Sequence, residues 1–256
     1  MTEPILVAQS LHKRFGGVHA VSDISLAIPR NVIFAVIGPN GAGKSTLLNL
    51  LSGVYQPNEG QLAFAGRDMA GMRSFERVSL GIARTFQKIR LFKNLSLVEN
   101  VLAGFHNHHQ IPAWQYLVPG AARRADRERC LHDAHELLKQ VGLDARASER
   151  AGSLAYGQQR MLEIARALAT KPKLLMLDEP AAGLNASEVE FLLNQLKALK
   201  ARGITVVVVE HNMDLVMRVS DHVFVMDHGE YLFDGLPAAV QKNPLVISAY
   251  LGAEFV

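Results

Sequence analysis

The chain has 256 residues, 49% hydrophobic and 20% charged, the balance of a globular protein with a full core and not of a disordered one. Lys and Arg number 27 against 24 Asp and Glu, a net charge of +3, too small an excess to call for nucleic acid, and no such partner is expected. A single cysteine, Cys130, excludes an intrachain disulfide framework and fits a reducing compartment.

Ile5–Leu11 and Val21–Ile28 alternate imperfectly, as half-buried edge strands do. No signal segment is read before them. Val32–Ile37 is a continuous apolar run that stops at Gly38, the pattern of a strand buried on both faces. Thr46–Leu51 then takes helical spacing, giving strand, glycine loop and helix. Leu97–Phe105 and Ala122–Val141 carry helical spacing with heavy charge. The stretch His106–Gly120 between them holds Trp114 and the cluster His106, His108 and His109. No Cys or carboxylate spacing accompanies that cluster, so a solvated loop is expected there and not a metal site. Arg123, Arg124, Arg127 and Arg129 are interrupted by Asp126 and Glu128, which predicts a salt-laced exposed helix face. Cys130 lies in the same helix and is read as incidental packing. Ile204–Val209 and Val223–Met226 return to buried-strand character. Strands alternating with helices imply a mostly parallel α/β sheet. The runs Val32–Gly38, Leu174–Leu177 and Ile204–Val209 are too short to cross a bilayer, so a membrane role is expected to be peripheral.

Two motifs carry chemistry. Gly38-Pro39-Asn40-Gly41-Ala42-Gly43-Lys44-Ser45-Thr46 fits a phosphate-binding loop. Its glycines let backbone N–H groups turn toward phosphate oxygens, and the helix that follows adds the positive end of its dipole. Lys44 can reach the terminal phosphates, and the Ser45 hydroxyl can ligate Mg²⁺. The second motif is Leu174-Leu175-Met176-Leu177-Asp178-Glu179-Pro180, an apolar strand that ends in two carboxylates where α/β sheets bind ligands. There Asp178 can hold Mg²⁺, and Glu179 can orient and deprotonate a water. The pair implies hydrolysis of a nucleoside triphosphate.

Further residues narrow the reading. Leu154-Ala155-Tyr156-Gly157-Gln158-Gln159-Arg160, Arg84-Thr85-Phe86-Gln87 and Glu210-His211-Asn212 together resemble the ATP-binding subunits of ABC transporters. The likeness runs from about Leu6 to Leu251. It is closest to the ATPase subunits of branched-chain amino acid importers, through Phe15-Gly16-Gly17, Leu162–Leu168, Ala181–Asn185 and the ending Ala249–Gly252. The resemblance implies one nucleotide-binding domain over residues 1–256. Its fold would be a P-loop (RecA-like) α/β core with an amino-terminal antiparallel β edge and an α-helical subdomain inserted over about Lys88–Gln159.

The resemblance also implies roles. Phe15 stacks on adenine; Gln87 touches Mg²⁺ and the attacking water and links to a membrane subunit. His211 contacts the γ-phosphate, and Ala181–Asn185 lies at a dimer seam. Ala155, Tyr156, Gly157 and Gln158 close over the γ-phosphate of ATP held by a second protomer. The family commonly has Ser at Ala155, Gly at Tyr156, Ser at Ala182 and Asp at Asn185. Backbone N–H groups at the start of the signature helix are therefore expected to hold that phosphate. The implied cofactors are ATP and Mg²⁺. The implied partners are integral membrane permeases, a second ATPase subunit (homodimer or related chain) and, indirectly, an extracytoplasmic solute-binding protein. The expected place is the cytoplasmic face of the cell membrane, the expected cargo a branched-chain or related hydrophobic amino acid. Urea or amide import, lipid export and a soluble non-transport ATPase are the alternatives.

Overall fold

The computed structural model describes residues 3–108 and 120–252. In chain order the elements are β1 (Leu6–Phe15), β2 (Val18–Ile28), β3 (Ile33–Ile37), α1 (Lys44–Leu51), β4 (Glu59–Phe64), β5 (Arg67–Asp68), α2 (Ser74–Leu80), β6 (Ile82–Arg84), α3 (Leu97–Leu102), α4 (Ala121–Gln140) and α5 (Tyr156–Leu168). There follow β7 (Leu174–Asp178), α6 (Ala186–Ala201), β8 (Thr205–Val209), α7 (Met213–Val219), β9 (His222–Asp227), β10 (Glu230–Gly235), α8 (Pro237–Val240) and α9 (Pro244–Gly252). They fall into two compact units, Met1–Arg84 with Lys173–Ala182 and Val189–Val256, and Thr85–Pro172 with Gly183–Glu188.

The first unit contains both sheets. An antiparallel sheet of four strands runs β2-β1-β4-β5, and a sheet of six runs β10-β9-β3-β8-β7-β6. In the larger sheet β6, β7, β8, β3 and β9 pair in parallel, and β10 closes one edge antiparallel to β9. Every residue of β3, β7 and β8 is buried, as parallel strands covered on both faces require. The period of two sorts their side chains. Phe34 and Val36 join the cluster around Leu47, Leu48, Leu50 and Leu51 of α1, which the inner faces of β1 and β2 complete. Ala35 and Ile37 face the opposite way, onto Val216 of α7, Val240 and Val246. Each such buried aliphatic side chain contributes roughly 1.5–3 kcal/mol of transfer free energy. The strand ends beside this core are consequently rigid platforms.

The second unit is helical. Ser96 caps α3, its hydroxyl accepting from the Glu99 amide while Glu99 accepts from the Ser96 amide at 2.7 Å, a capping box. Helix α4 buries Asp126, Cys130, Ala134, Leu137 and Leu138, positions that fall on one stripe.

Several expectations change. Strand β1 continues to Phe15 because register shifts at Ala8, Leu11 and Lys13 break the alternation that would have shown it. Strands β4, β5, β6 and β10 are not legible in the sequence, since each is very short or mostly exposed. Asp126 does not lie on an exposed face: it is buried and held by Arg129 at 2.5 Å. Cys130 is buried too, and burial pushes its thiol up. The helical unit extends past the sequence boundaries of 88 and 159, because α5 packs with α3 and α4. The histidine loop expected over His106–Gly120 lies almost wholly outside the described residues. Among the described residues no helix is long and apolar enough to cross a membrane.

Candidate active site

Strand register brings the chemistry of the first unit together. Val36 of β3 and Asp178 of β7 both lie level with Val209 of β8. The phosphate loop after β3, the carboxylates ending β7 and Glu210-His211 after β8 therefore leave the sheet side by side at its carboxyl edge.

The loop turns into α1 through Gly43, which has φ 92°, and a Cβ there would run into the Ala20 carbonyl oxygen. Any other residue would move the loop. Lys44, only 7% exposed, folds back and donates to the Gly38 and Pro39 carbonyl oxygens at 2.7 and 2.8 Å. Burial pushes its ammonium below the usual range, opposed by the carboxylates of Glu179 and Asp178. The lysine thus sits in the field of both acids. Ser45 is exposed in the first turn of α1, and Thr46 is half-buried.

Asp178 is buried, and Arg84 donates to its Oδ2 at 2.9 Å. Glu179 follows in a left-handed backbone at φ 46°, a conformation that costs on the order of 1–3 kcal/mol and turns its carboxylate away from the strand line. His211 Nδ1 lies 3.9 Å from Glu179 Oε1. Behind them Glu210, fully buried, accepts from the Ala181 amide at 2.8 Å and the His211 amide at 3.2 Å. Burial raises its pKa above the ordinary carboxylate range. Phe15 ends β1 at 43% exposure, its ring 5.2 Å edge-on from Tyr55 with the Lys13 ammonium 5.4 Å away.

The second unit carries Gln87 and the signature residues. Gln87 is exposed three residues after β6. Ala155 and Tyr156 are exposed at the start of α5, and Gly157 is buried. A Cβ on Gly157 would strike the Glu188 carboxylate. Gln158 is held by Arg146 at 2.6 Å and reaches back to the Ala155 amide at 3.3 Å. Asn185 Oδ1 accepts from the Glu188 amide at 3.0 Å, so this amide caps α6 as the acidic residue common at that position would.

The sequence left Arg84, Glu210, Tyr55 and Tyr250 without roles. Tyr250 of α9 buries its hydroxyl beside Gly38, and burial pushes its pKa up to about 12. Only their places as first residues of the quoted motifs Arg84–Gln87 and Glu210–Asn212 hinted at Arg84 and Glu210.

Similarity to known proteins bears on the family. A family model described as ABC transporter matches residues 21–182. The chain belongs to that family. A second model, described as branched-chain amino acid ATP-binding cassette transporter, matches residues 232–256. The high-affinity branched-chain amino acid transport ATP-binding protein BraF of Pseudomonas aeruginosa is 44% identical, with 98% of this chain and 99% of that protein covered. LivG of Salmonella typhimurium, named for the same role, is 40% identical over 98% and 99%. An ATP-binding cassette of an ABC transporter solved in its ADP conformation superposes with a TM-score of 0.85 at 32% identity, covering 98% of this chain and all of that one. A dimeric cassette in a post-hydrolysis state with ADP and Pi gives 0.78 at 25% identity over 91% and 98%. This chain is accordingly a nucleotide-binding ATPase whose hydrolysis is coupled to transport.

The donors present suit a small hard cation. The Ser45 hydroxyl and the Asp178 carboxylate both offer oxygen donors, the kind Mg²⁺ takes alongside substrate phosphates.

Proposed function

We propose that the chain is the Mg²⁺-dependent ATPase subunit of an importer for branched-chain or related hydrophobic amino acids. The observation that carries the ATPase reading is the convergence of Lys44, Asp178, Glu179 and His211 on one edge of the parallel sheet. The match of residues 232–256 to the branched-chain model, with relatives such as BraF, supports the cargo.

The residues would act as follows. Lys44 exchanges its two carbonyl partners for β- and γ-phosphate oxygens, so its charge stays bonded throughout. Loop amides from Gly38 through Thr46 (Gly38, Asn40, Gly41, Ala42, Gly43, Lys44, Ser45, Thr46) cradle the phosphates, and Pro39 shapes the turn without donating. Ser45 and Asp178 would hold Mg²⁺, which would supply positive charge to offset the negative charge that builds on the leaving group, and Gln87 would meet the membrane subunit. Glu179 takes the proton of a water as its oxygen bonds to the γ-phosphorus. The bond from that phosphorus to the bridging oxygen breaks, leaving ADP and phosphate. His211 donates to the γ-phosphate, and Phe15 stacks on adenine. In a head-to-tail pair, Ala155, Tyr156, Gly157 and Gln158 of one protomer complete the ATP site of the other.

The partners in this reading are two permeases, a second copy or a related ATPase, and, through the permeases, an extracytoplasmic binding protein. The chain would sit on the cytoplasmic face of the membrane. The test is uptake by vesicles that carry the assembled transporter with ATP inside. Labelled leucine, isoleucine or valine should accumulate; uptake of urea or movement of lipid instead would overturn the cargo.

A further inference from the structure

Arg160 and Glu163 lie one turn apart on α5 and are 0% and 1% exposed. They pair at 3.0 Å, Nη1 to Oε2. Their other bonds point to one short segment. Arg160 donates to the Phe86 carbonyl oxygen through Nη1 and to the Gln87 carbonyl oxygen through Nη2, each at 2.8 Å. Glu163 Oε1 accepts from the Arg90 amide at 3.1 Å. The Arg90 guanidinium covers the Phe86 ring at 4.1 Å, and Arg160 also donates to the Tyr156 hydroxyl at 3.2 Å.

A buried ion pair is a poor way to stabilise a fold. Two desolvated charges recover about what apolar residues of the same size would supply. What this pair provides is geometry. Residues 85–95 contain no helix or strand, so no ladder fixes their backbone. The guanidinium fork spans two successive carbonyls, and the carboxylate pins an amide three residues on. Arg160 is also four residues beyond Tyr156, bonded to its hydroxyl, at the end of the helix that presents the signature residues.

We infer that Arg160 and Glu163 are positioning residues that lock the backbone around Gln87 to the signature helix, so that both move as one piece. The inference rests on the roles proposed above for Gln87 and Gly157. Gln87 serves the membrane subunit, whereas the signature helix serves the partner's nucleotide. A rigid link between them makes occupancy of the partner's ATP site felt at the permease. Loosening the link leaves nucleotide affinity at Lys44 intact and lowers turnover.

The test is a mutant cycle in the assembled transporter. Arg160→Lys keeps charge against Glu163 and loses the planar fork that reaches both carbonyls. The pair Arg160→Met with Glu163→Met removes both charges together and avoids stranding either one. Each should leave ATP affinity within about twofold, which also reports that the chain is folded, and lower kcat about tenfold or more. In a Gln87→Ala background the same changes should lower kcat no further. Wild-type kcat in the methionine pair, or an equal fold-loss with and without Gln87, overturns the link alone. Wild-type turnover in Gln87→Ala by itself overturns the role of Gln87, and this inference with it.

Discussion

The Arg84 guanidinium joins Asp178 to the far end of the phosphate-loop helix: one arm lies 2.9 Å from Asp178 Oδ2, the other 2.6 Å from Asn49 Oδ1 and 2.8 Å from Ser52 Oγ. Both members of the ion pair are nearly inaccessible, at 7% and 5% side-chain exposure. A carboxylate so held has a fixed orientation.

Replacing Arg84 by Gln should therefore disturb the cation more than the nucleotide. Groups that orient a metal ligand are worth roughly 10–100-fold in metal affinity. Hydrolysis by the variant should need about tenfold or more extra Mg²⁺ to reach half its maximal rate, with Mg²⁺-free ATP affinity little changed. Titration of ATPase rate against Mg²⁺ measures it; an unshifted midpoint removes Arg84 from the account.

Glu210 gives a pH prediction with a definite sign. Its pKa in the fold is raised by burial, so the folded state prefers the protonated acid. That contribution to stability is complete below the unfolded carboxylate pKa and is lost as pH rises through the raised value. Glu210→Gln has no such titration. The variant should gain in melting temperature relative to wild type as pH rises above the ordinary carboxylate range, and a difference that stays flat or falls on that rise contradicts the assignment.

Gly157 and Ala155 separate backbone from side-chain recognition. The Glu188 carboxylate already borders Gly157, so Gly157→Asp adds bulk and a second negative charge where phosphate must approach. Turnover in the assembled complex should vanish while ATP still binds at Lys44. Ala155→Ser supplies a hydroxyl worth about 1 kcal/mol at most, and should stay within a few-fold of wild type. Normal hydrolysis by Gly157→Asp would mean that the signature helix does not complete an ATP site.

For Phe15, packing and stacking predict different losses. The ring touches Tyr55 by its edge and remains 43% exposed, so Phe15→Ala should cost little stability. Nucleotide affinity should fall by roughly 1–3 kcal/mol, the range for a base on an aromatic ring. Isothermal titration with ADP separates the two: unchanged affinity returns Phe15 to packing.

The sequence carries the catalytic edge because that chemistry is local. Ile33–Thr46 and Leu174–Glu179 are contiguous, each a buried strand followed by its reactive residues, so type and spacing suffice. The supporting contacts are long-range. Arg84 meets Asp178, Glu210 meets Ala181, and Tyr250 meets Gly38 only when β3, β7, β8 and α9 are packed. Strand β6 has three residues and β4 only two buried positions, too few to show a period. Asp126 looked solvated because its neighbours are charged, whereas the helix turns that one position inward.

The most direct test of the central claim is the turnover of Glu179→Gln in the presence of ATP and Mg²⁺. The left-handed backbone at Glu179 and the size of the side chain are both kept by glutamine; only the capacity to take a proton is lost. The variant should bind ATP with wild-type affinity, hydrolyse it at least about a hundredfold more slowly, and accumulate an ATP-dependent dimer. Hydrolysis at the wild-type rate would contradict the account, because Glu179 would then not be the group that activates the water.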